Sequence, residues 1–128
     1  MSLPLRILIV DDDLNSVSVL STMLKRRGFE VQTQTDSAQV LRDAIDFQPH
    51  VVILDYIMPG FYGAHVAWQL AGTPLLHNVR VIIVSASSAE EIRRNLPPTR
   101  IPILPKPIDF VELLTLIREE GSAPRAMV

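Results

Sequence analysis

The sequence has no cysteine, no excess of positive charge and no long hydrophobic run. Without cysteine there are no disulfides and no thiolate chemistry, which is typical of a reducing compartment and favours the cytoplasm. The early apolar run from Ile7 to Val10 stops at Asp11 and is too short for a membrane span or a signal peptide. We therefore expect a cytoplasmic protein that does not associate with a membrane.

The charge balance argues against nucleic-acid binding by this domain. The chain carries 12 Lys and Arg against 14 Asp and Glu, a formal net charge of -2. Such a chain has no basic field that would attract a phosphate backbone. Its 128 residues, 48% of them hydrophobic, suit one compact globular domain. We expect that domain to span residues 1–120, with 121–128 as a tail or linker.

Short runs rich in leucine and β-branched residues predict five strands. Near-continuous apolar runs are typical of parallel strands that helices cover on both faces. Pro102 and Pro105 restrict the last strand to a very short one, centred on Ile103 and Leu104 at the sheet edge. The predicted strands are Ile7 to Val10, Glu30 to Thr35, Val51 to Leu54, Val79 to Val84 and Ile101 to Leu104.

Apolar residues spaced three and four apart predict a helix after each strand. Strict alternation of strand and helix predicts an α/β fold with a single (βα)5 doubly wound parallel sheet, in the flavodoxin-like order 2-1-3-4-5. Function is then expected at the carboxyl ends of the strands. The helices are marked by Val17, Leu20 and Leu24; by Ala38, Leu41 and Ile45 after a cap at Ser37; by Gly63 to Leu70; by Ile92 and Leu96; and by Phe110, Leu113, Leu114 and Ile117.

Acidic residues follow the first and third predicted strands. Asp11, Asp12 and Asp13 come directly after the first, and Asp55 ends the third. If these strands are neighbours, Asp11, Asp12 and Asp55 converge and repel one another unless a cation is present. An all-oxygen ligand set without cysteine or clustered histidine favours Mg²⁺, with Mn²⁺ as the alternative. The three histidines, at no metal-binding spacing, are given no role.

A hydroxyl and an ammonium group end the fourth and fifth predicted strands at the same rim. Ser85 can donate to a phosphoryl oxygen, and Lys106 carries a compact charge suited to the same oxygens. Together with a nucleophile and a metal, these groups indicate phosphoryl transfer to a carboxylate. Asp55 is the predicted nucleophile, because Asp11 and Asp12 are better placed together as a metal pair.

Four motifs lie at the ends of the predicted strands. They are Ile7 to Asp13, Leu54 to Pro59 with Gly63, Val84 to Ala86, and Lys106-Pro107. Together they resemble the signatures of response-regulator receiver domains of two-component signal transduction, chemotaxis regulators among them. The resemblance covers roughly Leu5 to Glu119, and the four motifs are specific only in combination.

The resemblance implies a role for each matching residue. Asp55 would be phosphorylated, with Asp12 as a direct metal ligand, Asp11 beside it and the Ile57 backbone carbonyl as a further ligand. Three further roles follow in the same way: Ser85 as the switch hydroxyl, Lys106 as the phosphate-binding lysine and Pro107 as a cis-proline.

The resemblance also implies the kind of partner. The phosphoryl donor would be a sensor histidine kinase or a histidine phosphotransfer protein, and the downstream effector is left open. The domain would not be an enzyme for outside substrates, because its chemistry would be limited to its own phosphorylation and autodephosphorylation. A homodimer would use the face formed by the fourth helix, fifth strand and fifth helix.

One departure from the family pattern leaves an alternative open. Ile103 stands where many members carry an aromatic residue that swings inward when the switch hydroxyl engages phosphate. A β-branched aliphatic side chain is stiff at χ1 and cannot reproduce that swing. The alternative is a degenerate receiver that binds partners without phosphorylation. A dehalogenase-type hydrolase is disfavoured because position 57 is not acidic, and a nucleotide binder because acids follow the first strand.

Overall fold

Five parallel strands form one sheet in the computed structural model, which describes residues 3–58 and 61–120. The order is β2-β1-β3-β4-β5, which confirms the predicted α/β fold and its 2-1-3-4-5 topology. The predicted tail at 121–128 lies outside the described residues. The strands are β1 (Arg6–Val10), β2 (Glu30–Gln34), β3 (Val51–Asp55), β4 (Arg80–Ser85) and β5 (Ile103–Pro105).

Helices follow each strand and cover both faces of the sheet. Within the described part of the chain, no helix is long and apolar enough to span a bilayer. A short antiparallel hairpin pairs Ile57–Met58 with Phe61–Tyr62 between β3 and the third helix. The helices are α1 (Leu14–Arg26), α2 (Val40–Phe47), α3 (Gly63–Ala71), α4 (Ala89–Arg93) and α5 (Phe110–Glu120).

Alternating strand residues divide the core into two layers. Leu8 and Leu54 belong to the layer beneath α2, α3 and α4, whereas Ile7 and Ile53 belong to the layer beneath α1 and α5. Because side chains alternate across a strand, an apolar residue is needed at every central position. This is the reason for the continuous apolar runs in the sequence. The two core layers hold the strands in place, and with them the strand ends that carry the polar residues.

The fourth helix is shorter than predicted. It ends at Arg93, and Leu96 lies in the turns that follow, although its side chain is buried as expected. Pro97 accounts for the early end, because it has no N–H to donate to the Arg93 carbonyl and its ring would clash with that carbonyl in a continued helix.

The start of the second helical segment also differs from the prediction. Asp36, not Ser37, is the cap, and its carboxylate accepts from the Ala38 N–H at 3.0 Å. Ala38 is exposed, while Val40 and Ala44 are buried. A 3-10 turn at Ser37–Gln39 precedes α2. The fully buried positions of α2 therefore come one residue before the predicted Leu41 and Ile45, which are partly buried against the same core layer.

The fifth strand is a short edge strand, as the prolines predicted. The Pro102 carbonyl accepts from the Ile83 N–H at 2.9 Å, and the Lys106 N–H donates to the Ser85 carbonyl at 3.0 Å. Because every second residue of a parallel edge strand bonds to its neighbour, the nitrogen of Pro105 faces the open edge. No ladder bond is lost there.

His50 lies at the amino ends of the strands, opposite the predicted site. Its Nδ1 accepts from the Arg6 backbone N–H at 2.9 Å. Burial, then the charges of Arg6 and Arg80, lower the pKa of His50. The unfolded chain therefore binds this proton first as the pH falls, so the stabilisation present above about pH 6.5 is lost as the pH drops through the folded-state pKa.

We expect His50→Asn, which keeps an acceptor for the Arg6 N–H, to weaken this pH dependence. Urea unfolding of the variant between pH 7 and pH 5 should lose less free energy than that of the wild type, because the variant has no imidazole to protonate at this position. His65→Asn, at an exposed position on α3, controls for the loss of one imidazole. Equal pH slopes for the wild type and His50→Asn would contradict the prediction.

Candidate functional site

Strand register brings two acidic residues to the same level. Val10 pairs with Leu54, so Asp11 and Asp55 follow at adjacent strand ends. Asp13 has a separate task as the cap of α1. Its carboxylate accepts from the Asn15 N–H and the Ser16 hydroxyl, both at 3.0 Å, and the Ser16 bond is the main cause that lowers the pKa of Asp13. Asp11 and Asp12 are left facing the rim.

Three carboxylates meet at this rim. One oxygen from each of Asp11, Asp12 and Asp55 lies within 4.8 Å of the others, an arrangement that could hold a metal ion. Asp55 is only 8% exposed, while Asp12 is exposed. Burial, followed by the charge of Asp11, raises the pKa of Asp55. The carboxylate form of Asp55 is therefore costly in the isolated domain, and a bound divalent cation would stabilise it.

Lys106 reaches into the same cluster. Its Nζ lies 3.2 Å from Asp55 Oδ1 and 3.8 Å from Asp11 Oδ2. Burial alone would lower the pKa of Lys106, but the hydrogen bond with Asp55 and the nearby carboxylate charges outweigh it and raise that pKa. Both partners thus have raised pKa values. The pKa of Asp55 rises because its carboxyl group is more deeply buried and faces other acids, and the pKa of Lys106 rises because the carboxylates stabilise its charge. The ammonium group stays charged beside the candidate nucleophile.

The backbone holds Lys106 next to the end of β4. Its N–H donates to the Ser85 carbonyl, and the Lys106-Pro107 peptide bond is cis, as the resemblance implied. Ser85 is 2% exposed, and its Oγ accepts from the Ser87 N–H at 2.9 Å. Since a hydroxyl both accepts and donates, this contact leaves the Ser85 proton available for an anion at the rim.

Two further predicted residues lie close to this cluster in the chain. Ile57 lies in the hairpin directly after β3, and ligation of a metal by its carbonyl stays a prediction. Ile103 lies at the start of β5, half-buried and packed against the core layer beneath α2, α3 and α4. The structure thus brings Asp11, Asp12, Asp55 and Lys106 together, with Ser85 at the neighbouring strand end.

An apolar cavity of about 450 Å³ opens beside the acidic cluster. Asp55 and Lys106 lie at its polar end, and apolar side chains from β1, β3, β4 and α1 and from the segment 107–110 line most of the rest. Several large apolar side chains on the same side of the molecule are exposed to solvent. They are Leu14, Val19 and Met23 on α1, and Val111 on α5.

Gly63 supports the candidate nucleophile from behind, a role that the sequence reading missed. A Cβ at this position would lie 2.7 Å from the Asp55 backbone oxygen and 2.8 Å from the Tyr56 Cα. The Gly63 N–H also donates to the Tyr56 carbonyl. Gly63 belongs to the sequence motif that contains Asp55, but its close approach to the backbone at Asp55 and Tyr56 arises only in the folded chain.

We expect Gly63→Ala to destabilise the domain by roughly 1–3 kcal/mol, the usual cost of overpacking. This expected loss of stability is opposite to the effect of helix propensity, which favours alanine over glycine at the start of α3. Gly72→Ala is the matched control, because its nearest contact would be the Trp68 carbonyl at 3.3 Å. Urea unfolding of both variants checks this expectation. Equal free energies of unfolding for Gly63→Ala and Gly72→Ala would contradict it and show that the backbone behind Asp55 can shift to make room for the Cβ.

Comparison with known proteins agrees with this geometry. The family model described as response regulator receiver domain matches residues 7–118. The transcriptional regulatory protein PrrA of Mycobacterium tuberculosis is 34% identical over 122 residues, covering 91% of this chain and 52% of PrrA. The response regulator PleD of Caulobacter vibrioides is 32% identical over 114 residues, covering 88% of this chain and 25% of PleD. The chain therefore spans about half or less of these relatives.

A solved structure gives the same result. The response regulator TrrA of Thermotoga maritima, crystallised with Mg²⁺ and BeF, superposes with a TM-score of 0.76 at 25% identity and covers 90% of this chain and 97% of TrrA. The family model spans most of the chain, and the sheet order and the acidic rim match the receiver pattern. This chain belongs to the response regulator receiver domain family.

Proposed function

We propose that this receiver accepts a phosphoryl group on Asp55 from a phosphohistidine and signals through the resulting change at the rim. The observation that supports this most strongly is the convergence of Asp11, Asp12 and Asp55 with Lys106 at 3.2 Å from Asp55. In this proposal residues 1–120 form the receiver unit and residues 121–128 form a tail or linker. We place the whole protein in the cytoplasm.

Asp55 is the nucleophile in this proposal. Its carboxylate oxygen attacks phosphorus in line, the bond from phosphorus to the donor imidazole nitrogen breaks, and the imidazole leaves and takes up a proton from solvent. Lys106 stabilises the negative charge on the phosphoryl oxygens, and the Ser85 hydroxyl donates to one of them. The same site would later lose the phosphoryl group to water, which is the only other reaction we assign to the domain.

The acidic rim fits Mg²⁺, or Mn²⁺ in its place. Asp11, Asp12 and Asp55 would hold the ion, with the Ile57 carbonyl as a further ligand. When bound, the ion supplies charge neutralisation between the carboxylates and the phosphoryl oxygens. Without that positive charge, Lys106 alone faces three acids, and a phosphoryl group would be repelled.

The surface beside the acceptor supports a protein donor. The exposed Val19 and Met23 line the apolar cavity that opens next to Asp55, and the exposed Leu14 lies at the start of the same helix. Apolar contact area of this kind suits a sensor histidine kinase or a histidine phosphotransfer protein that must bring its imidazole to the rim. The output partner would bind elsewhere, and a homodimer through the α4-β5-α5 face is one way to present the signal.

A degenerate receiver that only binds partners fits the structure less well. Such a domain has no need for a nucleophile, an acidic cluster and a lysine in contact. Here all three are present, although Ile103 replaces the usual aromatic residue. The assembled site therefore favours a phosphorylated receiver.

The test is intact mass after incubation with Mg²⁺ and acetyl phosphate, with a parallel sample in a chelator of divalent ions. We expect the mass of one phosphoryl group in the Mg²⁺ sample only, because the acids need a cation before they can accept an anion. No adduct in either sample would contradict the proposal and favour the degenerate binding module.

A further inference from the structure

The chain segment that follows α4 is tied to the residue next to Asp55. Tyr56 is 8% exposed, and its phenolic oxygen accepts from the Asn95 side-chain amide at 3.2 Å. The same amide reaches the Glu91 carbonyl at 3.3 Å. The Asn95 carbonyl accepts from the Trp68 indole N–H at 2.7 Å. We call the hydrogen-bonded set of Tyr56, Asn95 and Trp68 the Asn95 latch.

The latch connects three elements that surround the acceptor. Tyr56 follows Asp55 directly, and its N–H donates to the Val84 carbonyl at 3.1 Å, one residue before Ser85. α4 begins at Ala89, four residues after Ser85, and extends for only five residues. The α4 segment is therefore held at its start by the loop from Ser85, and after its end by Asn95.

Ile103 makes this second attachment important. An aliphatic β-branched side chain cannot report a movement of Ser85 by rotating into the space that Ser85 vacates. A displacement of the loop after Ser85 would instead move α4 relative to Tyr56. A hydrogen bond of 3.2 Å has little tolerance for further lengthening, so such a displacement would break the contact between Tyr56 and Asn95.

We propose that the Asn95 latch holds α4 in its resting position, and that a phosphoryl group on Asp55 shifts the population toward a state in which the latch is open. The inference rests on the proposed function, because it takes the phosphoryl group as the input. Opening the latch frees the Trp68 indole N–H and the Asn95 carbonyl at the surface, where Trp68 is already 51% exposed. The α3-α4 surface thus changes its hydrogen-bonding groups with the state of Asp55.

The test uses Tyr56→Phe, which removes the phenolic hydroxyl and keeps the buried ring. Loss of one net hydrogen bond from the resting state should tighten binding of Mg²⁺ with beryllofluoride, a phosphoryl mimic, by about two- to tenfold. Fluorine NMR measures that affinity. Asn95→Ala, at an exposed position, should act in the same direction.

Trp68 supplies a second readout, because it is the only tryptophan of the chain. In the wild type, its emission should change when beryllofluoride binds. In Tyr56→Phe, the emission without ligand should already be shifted toward the ligand-bound value. Thr115→Val is the matched control, because it removes a hydroxyl that bonds only within α5, to the Val111 carbonyl at 3.0 Å, away from the latch.

The outcomes separate the latch from the proposed function. If the wild type binds beryllofluoride, and both latch variants show wild-type affinity with an unchanged Trp68 response, the latch is only structural and the inference is wrong. If the wild type itself shows no bound beryllofluoride in the presence of Mg²⁺, the proposed function fails first, and the latch fails with it as a device driven by phosphorylation.

Discussion

Asp55→Asn is expected to abolish the phosphoryl adduct completely while leaving the fold intact. The amide has nearly the shape of the carboxylate, but its oxygen is a poor nucleophile and it carries no charge to bind a cation. Folding should not suffer, because burial raises the pKa of Asp55, and the charged form is therefore a cost to the folded state at neutral pH. Intact mass and thermal unfolding measure both expectations.

Asp46→Asn is the control for this substitution, because Asp46 is an exposed aspartate on α2 away from the rim. It should be labelled like the wild type. If Asp55→Asn gave the phosphoryl adduct in the same yield as the wild type, another residue would be the acceptor. A large loss of stability would show that the Asp55 carboxylate is needed for folding, contrary to its electrostatic environment.

Lys106→Ala is expected to have two effects of opposite sign. The rate of phosphorylation by acetyl phosphate should fall by about 10²–10³-fold, as when one preorganised group that stabilises a developing charge is removed. The affinity for Mg²⁺ should rise, because the ammonium group 3.2 Å from Asp55 and 3.8 Å from Asp11 no longer competes with the ion.

Lys25, the other lysine of the chain, provides the matched control for this variant. It is exposed in the last turn of α1, and Lys25→Ala should change neither quantity. Intact-mass spectra of reactions stopped at set times give the rate of phosphorylation, and calorimetric titration gives the affinity for Mg²⁺. A slower rate together with weaker Mg²⁺ binding would indicate that Lys106→Ala disturbed the rim as a whole, and would contradict a purely electrostatic role.

Much of the fold could be predicted because strand and helix patterns alternate strictly. The buried runs around Ile53 and Ile82 indicated a sheet covered on both faces, and the two prolines near Ile103 indicated a short edge strand. The errors lie where local chemistry competes with periodicity. α4 ends early because of Pro97, and Asp36 instead of Ser37 caps the 3-10 turn that precedes α2.

The acidic cluster could also be predicted, because strand order alone brings Asp11 and Asp55 to neighbouring ends. Contacts that depend on side-chain reach could not. Nothing in the spacing of Tyr56, Asn95 and Trp68 indicates that they share hydrogen bonds, since they lie on three elements that meet only after folding. The departure at Ile103 was visible in the sequence, but the neighbouring attachment of α4 was not.

The most direct test is to locate the phosphoryl group itself. Borohydride reduces an acyl phosphate of aspartate to homoserine, which tandem mass spectrometry of peptides can place in the sequence. After treatment with acetyl phosphate and Mg²⁺, we expect homoserine at position 55 and at no other aspartate. Homoserine at Asp11 or Asp12, or none at all in a protein that binds Mg²⁺, would contradict the assignment of Asp55 as the acceptor.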